Sequence, residues 1–411
     1  MAHSRFGFSG RERYGRCAGS LRLSQDLPER LGGEDAREGT LWHALNDHCL
    51  KKRVNPLTFV GVELDYEFNG EKCRGAVTQE MAEHAKDSID QVYAWMAKDR
   101  NARLYAEHKL HLPGIHPKLT STLDCAVWLP SLRLLIIIDF KYGRGVFVPI
   151  SIDGHPHKQV EAYGIGFLEV FPDIRPLEVQ LTIIQPRYPH MDGTTRSVTL
   201  PIMHFLDARA DLVDEIARVE EADKAYGAPD VSPTNWETAY LRSGAWCRFC
   251  PAAATCPMLR AHAQELAKVA FTPDRHPDPN EIADWLDKIP AIEARIKSLR
   301  EFAYGIAARG IAIPRHKLVE KWGNRAWKEG ITAENIATAT GLDLERVFEP
   351  RTIRTAAQVE KQIPKSEWKK IENFTTRKSN GTALVEDSDP RPAISKIDAA
   401  EAFFKIGKAI P

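Results

Sequence analysis

The chain has 411 residues, 43% of them hydrophobic and 27% charged, and its 56 basic residues balance its 56 acidic ones. That length allows two or three domains and a sizeable core, while the zero formal charge excludes a polycation that binds nucleic acid by bulk charge alone. No apolar run reaches the roughly 18 residues of a membrane span, and the polar, basic opening MAHSRFGFSGRERYGRC lacks the apolar stretch of a secretory signal. A cytoplasmic protein with no membrane partner is therefore expected. Its seven cysteines are odd in number, and in such a compartment they read as thiols or metal ligands rather than disulfides.

In chain order, residues 1–35 read as irregular, with Gly, Arg and Ser throughout and Cys17 among them. Residues 38–52 read as a helix with Leu41, Leu45 and Leu50 on one side; 77–100 read as a second, with Met81, Ile89, Val92, Trp95 and Met96 as its apolar face. Strand-like segments follow at 103–112, 119–129 and 132–141, the last two joined by a turn at Pro130-Ser131. Residues 157–170 read as a helix and 177–185 as another strand. This order predicts an α/β layer architecture with a mixed sheet flanked by helices. Residues 201–245 are expected to be mostly helical, and 279–308 to form a long helical stretch interrupted at Pro290. Residues 312–411 read as short helical and strand-like pieces, with 379–392 as a loop or linker. The expected domains are 1–265 and 266–411, the second mainly helical.

The segment LLIIIDFK, residues 134–141, carries the strongest chemical signal. Strand side chains alternate, so Asp139 and Lys141 share a face at the end of a buried strand, where charge is costly unless a metal or a phosphate compensates it. Asp124 supplies a second carboxylate from the neighbouring strand. Hard cations such as Mg²⁺ or Mn²⁺ take oxygen ligands of this kind, and a bound ion neutralises a phosphodiester and acidifies a water. Lys141 could hold that water and stabilise charge on the phosphate. His43 stands four residues after Gly39 at an expected helix start and could reach a metal, although a core or surface histidine is the blander reading. Glu107 could face the site or be an exposed strand residue. Gln159 and Tyr163 share a helix face and suit contacts to a DNA backbone or to Lys141. Arg144 and Lys158 are candidates for phosphate contacts, whereas His155 and His157 read as solvent-facing.

The second constellation is Cys247-x₂-Cys250-x₅-Cys256. Three cysteines this close read as a metal site. A [4Fe–4S] cluster needs a fourth thiolate, and Cys17 is the only early cysteine in an irregular segment; structural zinc with His262 as the fourth ligand is the alternative. Cys49, Cys73 and Cys125 read as buried thiols.

The ordered set Gly39–His43, Asp124, Asp139-Phe140-Lys141, Gln159–Tyr163 and Cys17 with Cys247, Cys250 and Cys256 resembles the PD-(D/E)XK nuclease superfamily, in the RecB-like and CRISPR-associated exonuclease branch that carries an iron–sulfur cluster. The resemblance covers about residues 15–260, and the chain also resembles phage-encoded nucleases found beside single-strand annealing proteins. It implies a restriction-endonuclease-like core. It further implies that His43, Asp124, Asp139 and the Phe140 carbonyl bind the metal, that Lys141 is catalytic, that Gln159 and Tyr163 support DNA binding, and that the cluster is structural. The expected activity is exonucleolytic resection of linear duplex ends for phage recombination or repair, with a single-strand annealing protein as a possible partner. A non-catalytic DNA-end-binding or assembly module with the same fold is the alternative.

Overall fold

The computed structural model describes residues 5–27, 34–143, 146–152, 154–188, 193–270 and 278–317, with 332, 334 and 338. The chain divides into two compact units, Met1–Val319 and Glu320–Pro411. The first runs past the 265/266 boundary expected from the sequence. Arg144, most of residues 312–411 and with them the loop expected at 379–392 lie outside the described residues.

The first unit opens with two short helices, α1 (Arg11–Tyr14) and α2 (Ser20–Ser24), then α3 (Glu34–Lys52). The expected irregular arm is thus partly helical, and it is packed: Phe6, Phe8, Arg11 and Tyr14 are at most 2% exposed. Because α3 begins at Glu34, Gly39 sits inside the helix rather than at its start. A hairpin unforeseen in the sequence, β1 (Glu63–Phe68) and β2 (Glu71–Ala76), precedes α4 (Gln79–Met96). Thr78 caps α4 by accepting a hydrogen bond from the Met81 amide.

The central strands follow: β3 (Arg103–His111), β4 (Thr120–Leu129) and β5 (Leu134–Phe140). A two-residue ladder, β6 (Ser151–Ile152) with β7 (His155–Pro156), leads into α5 (Lys158–Val170), then β8 (Glu178–Ile184) and β9 (Thr195–Pro201). The five-stranded sheet has the order β3-β4-β5-β8-β9. Its β5–β8 pair is parallel and the others antiparallel, so the sheet is mixed, as expected. β9 lacked a clear sequence signal because its first three residues, Thr195, Arg196 and Ser197, are polar and the buried one among them is an arginine.

β5 is buried on both faces, which explains its unbroken apolar run. Leu135 and Ile137 join a core formed with the N-terminal arm, α5 and the next helix, α6 (Ile202–Ala225). Ile136, Ile138 and Phe140 join a second core with Trp42, Leu45, Ile89 and Val92 of α3 and α4. The first unit is therefore a sheet between two helical layers. It continues through α7 (Pro233–Tyr240), the cysteine-bearing loop, α8 (Pro257–Ala270) and α9 (Pro279–Ala308). α9 runs unbroken through Pro290, against the expected interruption. The helix is held beyond the proline, where Arg295 donates to the Ala253 and Cys256 carbonyls at 3.2 and 3.1 Å, and these contacts outweigh one missing amide donor. Among the described residues no helix is long and apolar enough to cross a membrane.

Candidate metal and nucleic-acid site

The carboxylates gather where β3 and β4 switch faces together. On β4, Cys125, Val127 and Leu129 face the α3/α4 core, yet Leu123 faces the opposite one. On β3, Leu104 and Ala106 face the α3/α4 core, yet Leu110 faces the other. Both reversals fall at Glu107 and Asp124, between the flanking pairs Ala106↔Cys125 and His108↔Leu123. Glu107 carries the local distortion, with a left-handed φ of 43°. Such a backbone costs a non-glycine residue about 1–3 kcal/mol and marks functional sites.

His43 of α3, Glu107 and Asp124 each offer one ligand atom, and these atoms lie within 4.8 Å of one another. Asp124 is tied down by the Phe140 amide, which donates to its Oδ2 at 2.8 Å. From the other side, Lys141 Nζ lies 2.9 Å from Asp139 Oδ2 and 3.2 Å from Oδ1. Gln159 of α5 joins them: its Oε1 accepts from Lys141 Nζ at 3.0 Å, and its Nε2 donates to Asp139 Oδ1 at 3.1 Å and to the Tyr163 hydroxyl at 3.2 Å. The site thus spans the end of β5, with α3 on one side and α5 on the other. Gln159 and Tyr163 are 7% and 4% exposed, so they act as buried supports of Lys141.

Burial dominates the electrostatics. It pushes the Glu107 carboxyl up to about 8, helped by the charges of Asp124 and Asp47. It pushes Asp124 up to about 6 against the opposing pull of Lys141, and raises Asp139 as well. Burial also lowers His43 to about 4, with Lys141 adding to the effect, leaving a neutral imidazole able to ligate. Asp139 Oδ2 is buried and accepts no hydrogen bond despite its closeness to Lys141. Its compensation at that atom is the charge of the Lys141 ammonium at 2.9 Å, not a directed hydrogen bond. The donor set of one imidazole and several carboxylates suits Mg²⁺ or Mn²⁺.

His157 corrects an expectation. It is 9% exposed, it precedes α5, and the charges of Glu12 and Asp139 act on it while burial lowers its pKa. The turn of the chain through the β6–β7 ladder carries it inward, a placement with no signature in sequence. His155 is exposed, as expected. Lys158 turns away from the carboxylates to pair with Glu215.

Cys17, Cys247, Cys250 and Cys256 line one cavity, although Cys17 is distant in sequence. His262 does not line it; its Nδ1 lies 3.2 Å from Ser243 Oγ. Burial pushes Cys17 up to about 11 and Cys247 up to about 12. Backbone N–H groups oppose that shift: Arg242 donates to Cys17 Sγ at 3.4 Å, and Leu259 and Met258 reach Cys256 from the start of α8. Amide donors around clustered sulfurs fit a metal group, which holds its ligands as thiolates. Cys49 and Cys125 are fully buried, whereas Cys73 is half-buried.

The family model described as Protein of unknown function (DUF2800) matches residues 3–392. The chain belongs to that family. In this DUF2800 chain the carboxylate site and the cysteine cavity both lie within the matched span. Three contributors to the site of the DUF2800 chain escaped sequence reading: Asp47, whose charge bears on Glu107, His157, and Arg187. Arg187 lies 4.4 Å over the Tyr142 ring and pairs with Glu38, fastening α3 to the chain just beyond Lys141. Only the spacing of Asp47, one helical turn after His43, could have flagged any of them.

Proposed function

We propose that this protein is a metal-dependent nuclease of the PD-(D/E)XK type, acting on DNA, with a structural metal group at its four cysteines. One observation carries the reading. Lys141 is held by Asp139 and Gln159 at distances of 2.9–3.2 Å, beside a three-ligand grouping of His43, Glu107 and Asp124. A purely structural ion pair does not call for three further ligand groups next to it.

His43, Glu107, Asp124 and Asp139 would hold Mg²⁺ or Mn²⁺, which supplies charge neutralisation at the phosphate and a more acidic water. Lys141 would donate from Nζ to a phosphate oxygen or to the attacking water, stabilising charge as it develops. Gln159 fixes the Nζ direction through Oε1, and Tyr163 fixes Gln159. Asp139 and Gln159, which flank the half-buried ammonium, are themselves buried, and the lower local dielectric on that side strengthens its field. Hydrolysis forms one bond from water oxygen to phosphorus and breaks one phosphorus–oxygen bond of the strand. At the cysteines, a four-thiolate [4Fe–4S] cluster is favoured over zinc. Cys17 joins Cys247, Cys250 and Cys256 on one cavity while His262 stays off its lining, which supports four thiolate ligands over three thiols with His262.

End-labelled linear DNA and covalently closed DNA, each incubated with Mn²⁺ or with EDTA, test the proposal. Metal-dependent shortening of the linear substrate is expected, abolished by Asp139→Asn. Near-normal cleavage by Asp139→Asn would remove the proposed site.

A further inference from the structure

α5 carries Gln159 and Tyr163, yet it lacks a cap of its own. His157, at its N-cap, makes no side-chain capping bond. The free amide of Lys158 instead donates to Glu12 Oε1 at 2.8 Å, from a residue in the N-terminal arm. A carboxylate there also complements the positive end of the helix dipole. Beside it, Arg11, 0% exposed, pairs with Glu161 of α5 and Glu215 of α6, both at 2.8 Å. Phe8 meets the Tyr163 ring edge-on at 5.6 Å. Removing one partner of such a buried charge pair is costly, because the other charge is left uncompensated.

The far end of the same arm enters the cysteine cavity. Arg16 lies 5.3 Å over the Trp246 ring, and Cys17 lines the cavity with the other three cysteines. Protein contacts to the Cys17 sulfur are weak: 3.8 Å to the Tyr240 carbonyl, 3.4 Å from the Arg242 amide, and the Ser20 amide. Sulfur is a weak donor and acceptor; Ala18 and Leu21 hold this end in the core and the Gly19 amide donates to the Tyr240 carbonyl at 2.9 Å, so a group ligated by the four thiols would add a direct link from that end to the cysteine loop.

We infer that the N-terminal arm from Phe8 to Cys17 is a strap through which the cysteine cavity fixes the start of α5, with Glu12 and Arg11 as its positioning residues. The strap joins two sites that share no side chain. Its catalytic meaning rests on the nuclease reading, because α5 matters to chemistry only through Gln159; its mechanics do not.

Hydrogen–deuterium exchange on the full-length protein tests this without reference to cleavage. In Cys250→Ser, exchange should rise about fivefold, the scale of one lost helix cap, in residues 8–20 and in 158–163, while 134–140 in β5 stays protected. Glu12→Ala should speed exchange in 158–163 and leave 247–256 unchanged, and Glu12→Gln, which keeps an acceptor, should recover part of the protection. Unchanged exchange at 158–163 in either variant overturns the strap, as does a Cys250→Ser protein in which 134–140 opens alongside α5. A protein with the predicted exchange pattern but no metal-dependent cleavage keeps the strap and loses the nuclease reading. One that cleaves DNA without the pattern loses the strap alone.

Discussion

The carboxylate site and the cysteine cavity are built by opposite means. Asp124, Asp139 and Glu107 stand on strands of one sheet, in a frame of backbone hydrogen bonds and two apolar cores. The cavity draws on an arm, a loop and the start of α8, with short 3-10 turns at Ala245–Phe249 and Pro251–Ala254. Its buried shell is small, with Ala252, Ala253 and Leu259 beside Cys247 and Cys250. A frame of strands keeps its shape when a ligand side chain is changed, whereas a junction of loops keeps its shape only through what binds there. Substitutions at the first site should therefore remove activity and spare the fold, and those at the second should loosen the fold and lower activity only through it.

The largest expected effect is at Lys141. Lys141→Ala should slow DNA cleavage by about two orders of magnitude or more, the scale of removing one preorganised charge-stabilising group, with little change in thermal midpoint. Calorimetric titration with Mn²⁺ separates the roles, since metal binding should persist. A large loss of stability would instead make Lys141 a structural ion-pair partner.

Next come the cysteines. Cys17→Ser and Cys250→Ser should each lower the thermal midpoint, on the order of 5–10 °C for the loss of a few kcal/mol in a protein of this size, and by similar amounts. Protein purified without oxygen should be brown and hold about four irons per chain, and either substitution should bleach it. A colourless protein with one zinc, indifferent to Cys17→Ser and sensitive to His262→Ala, would leave the comparison standing but change the metal.

A smaller effect tests the packing between arm and α5. A Cβ at Gly166 would lie 2.9 Å from Phe8 Cε2 and 3.0 Å from Leu110 Cδ1. Gly166→Ala should therefore destabilise by about 1–3 kcal/mol, as overpacking does, measured by urea unfolding. Unchanged stability would mean that the arm yields there.

The last effect concerns pH, and the partial exposure of Glu107 and Asp124 screens it. Glu107 is held at about 8 against an ordinary 4.5, and Asp124 at about 6 against 3.8. The folded protein binds these protons more tightly than the unfolded chain. Metal-free stability should thus fall as pH rises from the ordinary carboxylate range to about 8, then level off. Glu107→Gln should flatten most of that slope, and Mn²⁺ should flatten it too by replacing the protons. Midpoints measured in EDTA across this range check it; equal slopes in both proteins would place Glu107 in water.

The strand carrying Asp139 was legible because burial on both faces demands the apolar run of residues 134–138, and a charged pair at its end stands out against it. The helix at 157–170 was legible as well, although Gln159 to Phe167 are all buried and leave no polar face. The face switch at Glu107 was not, since it depends on a backbone angle rather than a residue type. His157 was misread because its burial comes from a loop path. The N-terminal arm was misread because Arg11 looks like a solvated charge until Glu161 and Glu215, far along the chain, surround it. Local pattern reports what a segment prefers, but not what distant segments bring to it.

The parallel pairing of β5 with β8 also bears on time. β4 and β5 are joined by a tight turn and can pair early, whereas β8 reaches β5 only after the chain has closed over α5, the connection that carries Gln159. Long-range closures of this kind are slow steps in folding. The hairpin bearing Asp124 and Asp139 would then exist before Gln159 arrives to direct Lys141, so the chain would gain its carboxylates first and the orientation of its lysine last.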